Sequence, residues 1–161
     1  EGGISRPTLY NHFKSKDELI LAAMRRRDEM FRNRLMKFVE SRGKTPSERL
    51  EAVFDFHEDW FTGDEFCGCM FINASAEFSA AESAPRRLAA EHKQEIVRYL
   101  RGLCDAAGCE DPDDTAEQLN ILIEGSIVAA RVVGQVADGG SEPGAPARLA
   151  KRMAKRVLDD A

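Results

Sequence analysis

The chain has few of the residues that mark the simpler functional classes. Only four cysteines occur in 161 residues, Cys67, Cys69, Cys104 and Cys109; they follow no zinc-finger spacing and lack the density of a disulfide scaffold. No apolar run approaches the ~18 residues that span a bilayer, so no membrane partner is expected. No leader pattern opens the numbered chain, and a reducing cytoplasm is the expected compartment. Nucleophile elbow, phosphate-cradling glycine loop, paired metal-ligand motif and cofactor fingerprint are all missing, which leaves no metal, cofactor or catalytic residues to assign. Strand-period alternation and internal repeats are missing too, so the fold is expected to be all-α.

Charge is unevenly distributed. The net charge of −5 argues by itself against nucleic acid, yet residues 1–49 hold 12 Lys/Arg against 7 Asp/Glu, and the remainder is correspondingly acidic. A basic end on an acidic body is the footprint of a protein that presents one face to phosphates.

That basic end contains the most informative stretch, Ser5 to Leu19, reading Ser-Arg-Pro-Thr-Leu-Tyr-Asn-His-Phe-Lys-Ser-Lys-Asp-Glu-Leu. Ser5 is a good N-cap and Pro7 sits in the first turn, where its missing N–H does no harm. Leu9 and Phe13, four apart, share an inward face, leaving Arg6, Thr8, Tyr10, Asn11 and His12 on display. Ser15 and Glu18 have capping-box spacing and start a second helix. Displayed side chains of these types donate to phosphates and read base edges in a major groove.

These residues resemble the TetR family of transcription regulators, whose recognition helix and following turn read Ser-Arg-x-Thr-Leu-Tyr-x-His-Phe-x-x-Lys-x-x-Leu. The resemblance implies a dimeric repressor that reads palindromic double-stranded operator DNA in successive major grooves, about 34 to 36 Å apart, and leaves it when a small, largely apolar effector binds. Arg6, Thr8, Tyr10, Asn11, His12 and Lys16 would meet the operator. Only Glu1 to Ile4 precede Ser5, so the start of the helix-turn-helix is expected to lie upstream of Glu1. The division expected is 1–44 for the partial DNA-binding domain with its connecting helix, and 45–161 for a helical ligand-binding and dimerisation domain.

Helical periodicity continues from Asp17 to about Arg42, from Pro46 to about Thr62, over Cys69 to Phe78, from Pro85 to Gly108, from Thr115 to about Val136, and from Pro146 to the end. Aromatic, sulfur and sparse polar side chains concentrate in the middle of the body. Phe54, His57, Trp60, Phe61, Met70, Phe71, Asn73, Phe78, His92, Tyr99 and Glu124 are the candidate effector contacts. Plain core packing explains an aromatic stripe equally well. The helix from Thr115 is apolar on nearly every side and must be covered all round. With the last helix it is the expected homodimer interface, through Ile121, Val128, Val132, Leu149, Met153 and Val157. Two other readings stay open: an all-helical enzyme using His57 or His92 with Glu124 as acid and base, and a thiol sensor at Cys67 and Cys69.

Overall fold

The computed structural model describes residues 12–134 and 142–161. Six helices follow one another in this part, with no strand among the described residues: α1 Lys16–Arg42, α2 Pro46–Thr62, α3 Met70–Glu77, α4 Ala84–Ala107, α5 Pro112–Val132 and α6 Ala145–Asp159. Of the short helix expected before α1, only His12 and Phe13 fall within the described residues.

Sequence-local chemistry sets the helix starts. Ser15 Oγ accepts from the Glu18 N–H at 3.1 Å, but the Glu18 carboxylate accepts from Lys14 N–H at 2.7 Å rather than from Ser15. The box thus closes one residue outside the cap. At α2 the capping box is complete, because Glu48 accepts from the N–H groups of both Thr45 and Lys44. α4 begins at Ala84, where Ser83 holds the N-cap position but its hydroxyl donates to the Phe78 carbonyl oxygen at 3.0 Å and makes no cap bond, and α5 begins at Pro112, where Asp111 caps by accepting from Asp114 N–H. In each case a proline in the first turn removes one amide that would have no partner within the helix.

α2 is the central helix, packed against α1, α4, α5 and α6. Leu50, Ala52, Val53, Phe54, Phe56, His57, Trp60 and Phe61 are all buried, a wider arc than one stripe. Phe56 is the residue that widens it, meeting the Phe31 and Phe38 rings of α1 edge-on at 5.4 and 5.6 Å. α2's remaining charged edge, Glu51, Asp55 and Glu58, faces Lys155, Lys151 and Arg148 of α6 at 3.0, 2.6 and 2.7 Å. Partly solvated pairs like these set the register of α6 more than they stabilise it. α6 itself touches the core mainly through the small Ala147, Ala150 and Ala154, so it lies close to α5.

Candidate functional site

Where α2 ends, Gly63 begins a loop that runs to Cys69, and this loop, α1 and α3 enclose the main cavity, of about 820 Å³. α1 contributes Lys16, Ile20, Ala23, Met24, Arg27 and Arg34, spaced so that one helical face is turned to the cavity. Trp60, Phe66, Met70, Ala74 and Phe78 supply apolar wall, with Asn73, Asp64, Glu65 and Glu77 as polar groups and Cys67 and Gly68 on the loop. Trp60 is fixed by edge contacts with Phe66 at 5.2 Å and Phe31 at 5.0 Å, so the loop's aromatic anchors on the last turn of α2. The size and mainly apolar lining are those of a small-molecule site.

Of the expected effector contacts, Trp60, Met70, Asn73 and Phe78 line this cavity. Phe54, His57, Phe61, Phe71 and His92 are buried and do not line it, because they point into the close-packed centre between helices. Tyr99 sits on a separate hollow of about 210 Å³ beside Leu35 and Ile96. Glu124 is paired with Lys93 at 2.6 Å. The contribution of α1 was missed: none of the expected effector contacts lies on it, although Ile20, Met24 and Arg27 line the cavity. The available signal was the six-residue break from Gly63 to Gly68, rich in glycine and acids, directly after an aromatic helix end.

The two buried histidines are committed to structural partners. His57 Nδ1 donates to the Val53 carbonyl oxygen at 2.7 Å, and burial pushes its imidazole down to about 4, with Lys93 adding to the effect. His92 is likewise pushed down to about 4 by burial, against the opposing pull of Asp28. Its Nδ1–H donates to Asp28 Oδ1 at 2.7 Å, and Arg32 grips the same carboxylate at 2.9 and 2.8 Å. Burial of Asp28 raises its carboxyl, but the hydrogen bonds from Arg32 and His92 outweigh it and hold the group below its usual range. Arg32 is therefore committed to this network. With these partners His57, His92 and Glu124 are not pooled as an acid and base. Phe71 stacks on His92 at 3.7 Å and 14°. Its neighbours Met70, Asn73 and Ala74 face the cavity, so α3 separates the cavity from the His92–Asp28 tie to α1 by one helix.

A family model described as the tetracyclin repressor-like C-terminal domain matches residues 46–138, more than half of the chain, and one for bacterial regulatory proteins of the tetR family matches residues 1–23. The chain belongs to the TetR family. It is a transcription regulator, and the match to the DNA-binding family model falls on residues 1–23, the stretch that holds the expected recognition helix. The structure is similar to that of a TetR-family transcriptional regulator from Streptomyces coelicolor, with 25% identity over 98% of this chain and 78% of that one and a TM-score of 0.85. A TetR-type regulator from Streptomyces avermitilis gives 24% identity, coverage of 99% and 81%, and a TM-score of 0.75. The reduced form of NemR from E. coli gives 19%, 96% and 80%, and 0.77. At those identities the last two show the all-α fold alone. No curated protein matches the chain.

In this TetR-family regulator Arg6, Thr8, Tyr10 and Asn11 lie outside the described residues; His12 and Lys16 are exposed, and Lys16 also reaches the cavity rim. Ile121, Val128, Val132, Leu149 and Met153 are exposed together on α5 and α6, Ile121 at 67% and Val132 at 65%, whereas Val157 is half-buried against the core. A shallow groove of about 200 Å³ runs between Ile121, Leu149 and Met153. Among the described residues no helix is long and apolar enough to cross a membrane, and no group of three or more His, Cys, Asp or Glu is placed to hold a metal ion.

Proposed function

We propose that this regulator is a cytoplasmic homodimeric repressor, with no enzymatic role, that leaves a palindromic operator when a small, largely apolar effector occupies the cavity between α1, the Gly63–Cys69 loop and α3. The observation that carries the reading is that one wall of the cavity is α1 itself, whose first residue, Lys16, is separated by only three residues from the DNA-reading stretch Arg6 to His12. An effector touching Ile20, Met24 and Arg27 acts on the helix that positions the reading head. It also acts through α3, because displacing Phe71 loosens the His92–Asp28 tie. Division of labour follows: 1–44 reads DNA and transmits, while 45–161 binds the effector and dimerises. The dimer forms by pairing α5 and α6 with their copies, which covers Ile121, Val128, Val132, Leu149 and Met153 in a four-helix bundle.

The sole tryptophan is the probe. A compound panel screened for changes in Trp60 emission and a raised melting temperature is expected to yield small apolar binders. Ala74→Phe, which fills the cavity from α3 and leaves Trp60 the sole tryptophan, should abolish that binding with helix content unchanged. Binders that still saturate Ala74→Phe would place the effector site elsewhere.

A further inference from the structure

Two thiols flank Gly68 on the loop that closes the cavity. Cys67 is exposed on the cavity wall, and Cys69 is buried at the residue that precedes α3, where its side chain makes no capping bond. The ammonium of Lys93, on α4, donates to Cys69 Sγ at 3.5 Å while holding Glu124 at 2.6 Å. Between the thiols the backbone bends at Gly68, with φ +88°, in the region that favours glycine. The other two cysteines differ. Cys104 is buried, hydrogen-bonded to Cys109, and burial pushes its thiol up to about 12, which keeps it protonated and slow to react.

We propose that Cys67 and Cys69 form a peroxide-sensitive dithiol whose oxidation by an organic hydroperoxide reshapes the cavity wall. The exposed Cys67 sulfur, reacting as thiolate, attacks the terminal peroxide oxygen. A sulfur–oxygen bond forms, the oxygen–oxygen bond breaks, and the alcohol leaves with a proton, giving a sulfenic acid. Cys69 sulfur then attacks Cys67 sulfur. The sulfur–sulfur bond forms, the sulfur–oxygen bond breaks, and hydroxide leaves to take the Cys69 proton as water. Two thiols have lost two electrons and two protons, and the hydroperoxide has become alcohol and water. Lys93 places a positive charge against the sulfur that carries negative charge as it attacks. The apolar surface of Trp60, Phe66 and Phe78 gives an alkyl peroxide a place beside Cys67. A disulfide between residues two apart closes a small, strained ring, and strained disulfides are the easily reduced, reversible ones. Closing it takes Cys69 away from Lys93 and draws on the residue that begins α3, whose Met70 and Asn73 form the adjoining wall.

Tryptic mapping tests this directly, independently of any operator or effector. Cleavage after Arg49 and Arg86 isolates both thiols in residues 50–86, and cleavage after Arg101 and Arg131 isolates Cys104 and Cys109 in residues 102–131. The reduced protein is treated with tert-butyl hydroperoxide, alkylated and digested. The expected product is a 50–86 peptide that escapes alkylation, is about 2 Da lighter than the dithiol and is restored by dithiothreitol, while 102–131 stays alkylated. Lys93→Gln should slow its formation about tenfold, the order of one nearby charge, and Lys93→Arg should stay within about twofold of the parent. Cys69→Ser should trap Cys67 as sulfenic or sulfinic acid with no ring. Retention of both Cys67 and Cys69 thiols, prior oxidation of 102–131, or an unchanged rate in Lys93→Gln would each overturn the proposal.

Discussion

Acid should unfold this regulator in a pH range set by two buried imidazoles. An unfolded histidine takes up a proton as pH falls through ~6.5, whereas folded His57 and His92 stay neutral until about 4. Between those values protons bind the unfolded chain and not the folded one, so stability is fully present above ~6.5 and falls as pH drops toward 4. From pH 7 to pH 5 each group loses about 2 kcal/mol, and the pair about 4 kcal/mol, on the order of a third or more of a typical domain's stability. Urea unfolding at fixed protein concentration reads this as a fall in midpoint of about 1 to 2 M, for a slope of about 2 to 3 kcal/mol/M. Most carboxylates titrate lower, so the interval from pH 6.5 to 5 isolates the histidines. His57→Phe, which keeps an aromatic ring among Phe56, Trp60 and Phe61, should cut the pH dependence by about half whatever its effect at pH 7. A midpoint that does not move between pH 7 and 5, or a full pH dependence retained in His57→Phe, would refute the assignment of the loss to these buried rings.

Three further outcomes are expected. Val128→Asp or Val132→Asp should give monomers or aggregates by sedimentation and lose operator binding, because an unpaired charge buried in a bundle costs several kcal/mol. Lys16→Ala should weaken binding to every DNA sequence alike and reduce the slope of log affinity against log salt by about one, read by fluorescence anisotropy over a salt series. Gly43→Ala should lower stability by about 2 to 3 kcal/mol in urea titrations, since a Cβ there would meet the Arg49 backbone nitrogen at 2.6 Å and Cα at 2.8 Å, atoms that yield only if the α1–α2 corner opens.

Most of the fold was legible because helix starts are written locally. Ser15, Thr45 and Asp111 each cap as their spacing requires, and the glycines at 43, 63 and 108 end helices where periodicity stops. The family was legible for a different reason: Ser5 to Leu19 carries a motif whose residue types serve DNA contact rather than packing. The cavity was only half legible. Periodicity shows that Phe54, His57 and Trp60 share a buried side of α2, but not which of them meets an opening and which meets another helix. That depends on where α2 stops and how the next loop turns away, which is long-range packing. Arg32 illustrates the same limit, since its partner Asp28 is local but His92, which completes the network, is 64 residues away in sequence from Asp28. On α5, exposure of Ile121 and Val132 follows from a pattern with too many apolar sides for one subunit, which composition along the helix does reveal.

The central claim, that cavity occupancy and DNA binding are coupled through α1, is tested most directly by titrating the dimer onto a selected operator duplex with and without a compound that perturbs Trp60. Linkage requires that the factor by which the compound weakens DNA binding equal the factor by which DNA weakens compound binding. The account predicts a common factor of about ten or more, corresponding to about 1.4 kcal/mol of coupling. A compound that saturates the cavity by Trp60 emission and leaves the operator affinity unchanged would contradict it.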